Sequence, residues 1–387
     1  MPPSPLRSRG IKHGRDEGFG SDTETDTVAS CSKALSKRLK RGPAKSRSPS
    51  RCLATLELDA NGIVFRELGE LGDMAGPPGE FLRQIKSATQ HRRGILPCSF
   101  VSEFQGQDAS ASGWAFVADD APHLFSSDRD GLGHTPSPEC VTFILAGAAE
   151  MNTNRHDEAS WNSEVHCHVL RAALQPPGMG RYTHLLNYQP CSSASIIPEY
   201  HQPAVKGRKV DFAIYIDPTN DPHRAPTNEA IANLRRKLPK GALNHTDYHP
   251  LRCRPVAFSI ETKLTGENWE VAKLQIGTWL SAQWQFLQRL VELRQKAAVS
   301  KRGDGDAGHG VAVDQLPPFL LGIIIQGHDW YLVLSTREKN QTIVWEKASI
   351  GSTADALGVY KITYMLQLLR RWAQDTYWPW LRGVMGI

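Results

Sequence analysis

Between residues 256 and 263 the chain reads Val-Ala-Phe-Ser-Ile-Glu-Thr-Lys. A period of two places Val256, Phe258 and Ile260 on one face of a strand and Ala257, Ser259, Glu261 and Lys263 on the other. The run 210–216 divides in the same way: Asp211, Ala213 and Tyr215 oppose Val210, Phe212, Ile214 and Ile216. Helical spacing predicts helices over about 80–90, 157–174, 228–237, 269–295 and 354–377. The fourth carries an apolar stripe through Ala272, Ile276, Trp279, Leu287, Leu290 and Val291. A weak strand is expected near 182–188, and the runs 319–326 and 330–335 predict a hairpin turning through Gly327-His328-Asp329. The order over the second half is helix, three strands, helix, strands, helix, with no internal repeat.

Composition divides the chain into three parts. Residues 1–51 are rich in Ser, Pro, Gly, Lys and Arg and nearly devoid of branched apolar and aromatic residues, too little apolar surface to offset the entropy of ordering. They are expected to form a disordered basic tail. Residues 52–150 read as an N-terminal extension, helical or irregular with long loops, packed on a main domain over 151–387. The tail holds 12 Lys/Arg against 5 Asp/Glu; the whole-chain counts of 45 and 40 then leave 33 against 35, so the positive charge lies in the tail and the body is close to neutral. Within the tail, Lys37-Arg38-Leu39-Lys40-Arg41 is a cluster of the kind that engages a nuclear import receptor or nucleic-acid phosphate. Seven scattered cysteines without a Cys-x-x-Cys pair fit a reducing compartment. No apolar run is long enough to cross a bilayer, so no membrane association is expected, and an intracellular, nuclear location is.

If the two strands are neighbours, Asp211, Glu261 and Lys263 converge at one end of the small-residue face. A hard divalent cation takes oxygen ligands and borrows one or two protein carboxylates. Asp211 and Glu261 are the expected metal ligands, with the carbonyl of Thr262 as a third. Mg2+ or Mn2+ there would acidify a water and offset phosphate charge, while Lys263 positions the nucleophile. Gln275 lies on the apolar side of its helix, three residues after Ala272 and four before Trp279, and needs a partner near the site. Glu164, one turn after Trp161, is a further acid for orienting water or metal. His245 and His249 with Cys253 have zinc-like spacing but no evident fourth ligand, and are expected to be polar loop residues.

The series Glu164, Asp211, Glu261-Thr262-Lys263 and Gln275-Ile-Gly-Thr-Trp279 resembles the PD-(D/E)xK nuclease superfamily, the last element being similar to the Gln-x-x-x-Tyr helix of RecB-type members. Trp161-Asn-Ser-Glu-Val-His166 and Lys209-Val-Asp-Phe look closest to the fungal PD-(D/E)xK nuclease-like domain proteins. The resemblance covers roughly residues 80–387. Two positions depart from it: Val210 stands where the family name has proline, and Trp279 where tyrosine is usual. The resemblance implies an α/β, restriction-endonuclease-like mixed sheet flanked by helices. It also implies Mg2+-dependent hydrolysis of nucleic acid, DNA rather than RNA, by the residues named above. The alternative is a catalytically inactive nuclease fold acting as a nucleic-acid-binding or protein-interaction module.

Overall fold

The computed structural model describes residues 48–387, apart from 69–75, 105–106, 108–109, 111–112, 119–120, 176, 179, 181, 202–208, 224–225, 268 and 302–314. The Lys37–Arg41 cluster and the tail before residue 48 lie outside the described residues. Helices run over α1 Pro49–Glu57, α2 Pro77–Thr89, α3 Phe100–Phe104, α4 Pro138–Thr153, α5 Glu158–Trp161, α6 Cys167–Leu174, α7 Asn228–Arg235, α8 Trp269–Lys301, α9 Ala356–Trp372 and α10 Trp378–Met385. Strands are β1 Ile63–Glu67, β2 Leu96–Pro97, β3 Phe125–Ser126, β4 Leu186–Pro190, β5 Phe212–Ile216, β6 Val256–Lys263, β7 Leu320–Gln326, β8 Asp329–Glu338 and β9 Gln341–Ser352. Single π turns, Asn162–His166 and Ala373–Tyr377, join α5 to α6 and α9 to α10.

Seven strands form one mixed sheet in the order β1-β9-β8-β7-β6-β5-β4, flanked by helices; β2 and β3 pair separately. β6 is an interior strand, antiparallel to β5 and parallel to β7. Its period-two pattern is an alternation of two buried faces rather than of core and solvent, since all but Lys263 are buried. Ser259, Gly322, Ser335 and Thr342 share one face and are small enough for α8 to lie close. Two fully buried indoles of α8 turn their N–H groups onto that face, Trp279 to Ser259 Oγ at 2.9 Å and Trp284 to Ser335 Oγ at 2.9 Å. A buried tryptophan supplies large apolar area but needs a partner for its N–H, and the two serines provide it. On the other side, α9 packs against α6 and β9.

Three elements depart from the expected pattern. The basic tail was expected to reach residue 51, but Pro49–Arg51 form the first turn of α1, which packs on β1 and α8. The extension adds a strand to the sheet: β1 pairs in parallel with β9, Ile63 opposite Thr342, a contact no local pattern discloses. β9 itself has no simple alternation because its register against β8 shifts twice and Lys347 sits at φ +75°, placing charged residues mid-strand. The helix α4 does have helical spacing in Val141, Ile144, Ala148 and Met151, within surroundings rich in Pro and Gly. Phe81 of α2 stacks on Phe319, and Phe319 on Trp372 of α9, with centroids 5.3 and 5.2 Å apart, so the extension and the main domain share one core.

Ser335→Ala tests the contact between α8 and the sheet. It orphans the Trp284 N–H in a dry interior and is expected to cost about 1–3 kcal/mol in a urea melt, with an unchanged m-value; a loss below about 0.5 kcal/mol would show that the hydrogen bond is dispensable.

Candidate active site

The pairing of β5 with β6, Phe212 opposite Ile260 and Ala213 opposite Ser259, brings Asp211 to the end of β6. The Asp211 N–H donates to Ile260 O at 3.0 Å. Its carboxylate Oδ2 accepts from the Thr262 N–H at 2.9 Å and the Thr262 hydroxyl at 3.0 Å. This tie sets the direction of the two side chains on either side of Thr262. Lys263 Nζ then donates to Glu261 Oε1 at 2.7 Å, to Thr262 O at 2.6 Å and to Glu158 Oε2 at 3.2 Å. Glu158 stands in the first turn of α5, whose N-cap Asp157 accepts from the Ser160 N–H at 2.8 Å.

The strand end is braced from β7. Gly327, at φ +59°, donates its N–H to Lys263 O at 2.8 Å, and an added Cβ there would lie 1.9 Å from Thr265 Oγ1, so glycine is required. The Gly327 carbonyl lies 3.3 Å from His166 Nε2, and His166 Nδ1 lies 2.9 Å from Asn162 Oδ1. The π turn is thereby fastened to the hairpin that holds Lys263. Burial pushes the His166 imidazole down to about 4, so the ring stays neutral at physiological pH.

Burial raises the Glu261 carboxyl well above its ordinary value, and the nearby Asp211 carboxylate raises it further against the pull of Lys263. Burial likewise raises Glu158, again against Lys263. For Lys263, burial works to lower the ammonium, but the carboxylates, Glu261 first, outweigh it and the net shift is upward. Lys263 thus holds its proton between two acids that would otherwise be costly to ionise.

A match to a family model covers residues 103–378, more than two thirds of the chain, and describes the PD-(D/E)XK nuclease superfamily. The chain belongs to that superfamily. Comparison with curated proteins and with solved structures gives no match. Asp211 and the run Glu261-Thr262-Lys263 lie together at one end of β5 and β6. Membership implies nucleic-acid binding and a nuclease-type function, and divalent metals typically serve such proteins.

The structure brings together Asp211, Glu261, Thr262 and Lys263, and places two other expected residues differently. Gln275, half-buried, donates to Lys209 O at 3.3 Å and so braces the segment leading into Asp211. Glu164 is exposed, and the acid that meets Lys263 is Glu158. Glu164 lies inside the π turn Asn162–His166, where α-helical spacing from Trp161 does not fix the face a residue takes. An acid in the first turn after the Asp157 cap is the local signal that could have pointed to Glu158.

Among the described residues no group of three or more His, Cys, Asp or Glu side chains stands in a metal-ligating arrangement. His245 is buried against Trp279, ring centroids 4.6 Å apart, while His249 is exposed, so the zinc-like spacing does not converge. At the acidic site the Lys263 ammonium occupies the space between the carboxylates. Glu261 is fully buried, yet its Oε2 has no hydrogen-bond partner. The orphaned Glu261 oxygen, with the Asp211 carboxylate and the Thr262 carbonyl, offers the oxygen chemistry a hard divalent cation takes, so these residues fit such an ion.

His245 yields a pH prediction. Both ring nitrogens are buried without partners, and burial pushes the imidazole from its ordinary 6.5 down to about 3. The unfolded chain binds this proton at about 6.5 and the folded one refuses it, so its stability contribution is lost as pH falls from 6.5 toward 3. His245→Phe should gain on wild type by roughly 1.4 kcal/mol per pH unit over that window. Parallel denaturation curves at pH 7, 6 and 5 check this; a stability difference that does not change with pH would refute it.

Proposed function

We propose that the protein is a Mg2+- or Mn2+-dependent nuclease that hydrolyses phosphodiester bonds, with DNA as its substrate. The observation that supports this most is the Lys263 ammonium within 3.2 Å of Glu261, Glu158 and the Thr262 carbonyl, beside a buried Glu261 oxygen that lacks a partner. Asp211, Glu261 and the Thr262 carbonyl would hold the ion, which when bound supplies Lewis acidity at the phosphate and an acidified water.

Each protein group has its own part. Asp211 clamps the Thr262 amide, so that Glu261 and Lys263 project from a fixed backbone. Lys263 remains charged and donates hydrogen bonds, and can hold either the attacking water or a phosphate oxygen in place. Glu158 keeps that ammonium oriented, and Gln275 keeps the Lys209–Asp211 segment against α8. DNA is preferred over RNA on the strength of the family resemblance.

The direct test is cleavage of supercoiled, linear and single-stranded DNA and of RNA with Mg2+ or Mn2+, against an EDTA control. Lys263→Ala, Asp211→Asn and Glu261→Gln should each lower the rate by about 100-fold or more. Glu158→Gln is expected to reduce the rate by about tenfold or more, and Glu164→Gln to leave it within about threefold. A folded wild-type protein that binds nucleic acid but cuts none of the four would overturn hydrolysis in favour of a binding module.

A second test needs no turnover. Because the Glu261 carboxyl is raised from its ordinary 4.5, the metal-free protein holds stability below that pH that is lost as pH rises through the folded value. An ion replaces that proton, so Mn2+ should raise the melting temperature more at pH 8 than at pH 6. The increment should vanish in Asp211→Ala; an equal increment there would place the ion elsewhere.

A further inference from the structure

A cavity of about 470 Å3 lies between α4 and α6, against the loop through His134. Its lining includes Arg171, His134, His168 and Gln175 with an apolar floor at Ile144, and no carboxylate. In a body with slightly more acids than bases, this is a local departure. Among the described residues Arg171 is not ion-paired with any carboxylate. Behind the wall, Arg370 donates to Leu132 O, Arg371 to Gly131 O and Arg129 to Gly133 O, so three further guanidinium groups are held by backbone carbonyls. Among the described residues none of them is paired with a carboxylate.

The rim is aromatic. Phe143 is 58% exposed, although it lies on a helix with a well-buried opposite side, and its ring meets the His168 ring edge-on at 4.9 Å. Gln175 carries a buried amide whose oxygen and nitrogen both lack partners. Leaving both ends of an amide unsatisfied costs free energy, and rotation about its terminal torsion is soft enough to turn it toward a ligand edge with a donor beside an acceptor. Adenine presents such an edge in N6–H and N7, the pair that a glutamine amide reads.

We propose that this cavity binds one adenine nucleotide, with the phosphate at Arg171, the base stacked on Phe143 and its N6/N7 edge on Gln175. A volume of this size suits a small ligand of that kind, and an apolar cleft with a few convergent polar groups is its usual setting. The binding is independent of whether the Asp211 centre hydrolyses anything. The nucleotide can be free or an unpaired member of a strand; the chemistry at the cavity is the same.

The test is calorimetric titration of the full chain in EDTA with AMP, CMP, inorganic phosphate and a five-residue oligo(dA), with folding of each variant checked by circular dichroism. AMP is expected to bind more tightly than CMP or phosphate. Arg171→Ala should weaken it about tenfold or more, through loss of a charge-assisted contact. Phe143→Ser, at an exposed position, should weaken it several-fold, and Asp211→Ala should leave it unchanged. The same dependence seen with oligo(dA) alone would assign the cavity to a nucleotide within a strand. Binding of neither ligand, binding insensitive to Arg171 and Phe143, phosphate competing as well as AMP, or loss in Asp211→Ala would each overturn the proposal.

Discussion

The acidic end of the sheet depends on one ammonium group. Lys263 is mostly buried, with side-chain exposure of 10%, and is the cation shared by Glu261, fully buried, and Glu158, one third exposed. Taking a carboxylate out of water is costly unless it is paired, and at this site two acids share one ammonium while a third, Asp211, accepts hydrogen bonds from Thr262. The charge is left unbalanced, and burial first, then the neighbouring carboxylates, raise Glu261 and Glu158. A sheet built for stability alone would carry no such arrangement at the end of an interior strand. Under the proposed function, a cation from solution would offset that imbalance.

Around that ammonium the fold supplies constraints in three directions. Asp211 ties β5 to β6 through a backbone amide, so the two strands cannot slip without breaking the tie. Gly327 holds the Lys263 carbonyl from β7, and the same residue, through its own carbonyl, holds His166. Gln275, reaching from α8, fixes the approach to Asp211, while Trp279 one turn later fixes α8 to Ser259. Each constraint is a hydrogen bond between separate elements of the chain. A site assembled in this way is as rigid as the sheet that carries it.

Much of this was legible in the sequence because strand parity is a strict rule. Alternation puts Glu261 and Lys263 on one face of β6 and Asp211 with Ala213 and Tyr215 on one face of the 210–216 run; convergence depends on the two strands being neighbours, which the pairing supplies, and β6 was bounded correctly at both Val256 and Lys263. What escaped has physical causes. Parity fails where a bulge intervenes, so β9, with two register shifts and a left-handed Lys347, offered no period. Helical spacing fails where a π turn intervenes, so the face taken by Glu164 could not be read, and Glu158 was not singled out. Pairing between residues almost 280 positions apart, as in β1 with β9, leaves no mark on either segment. The orphaned Glu261 oxygen belongs to this last group, since only the assembled site shows that nothing reaches it.

The π turn that misleads the sequence also explains how one helical stretch serves two regions. Glu158 stands at its start, in the acidic site, and Arg171 and Gln175 stand 13 and 17 residues later at the carboxylate-free cavity, roughly 20–25 Å away along the helix. With uninterrupted α-helical geometry, Val165 and Val169 would fix the rotation of the whole stretch, and the face bearing Glu158 would follow from the packing of α6. One inserted residue uncouples the two, so α6 can bury Val169, Leu170 and Ala173 while α5 turns Glu158 to Lys263. His166 stands at the point of uncoupling and is the residue that fastens it to Gly327. The π turn thus lies between the helix that carries Glu158 to Lys263 and the helix that lines the cavity.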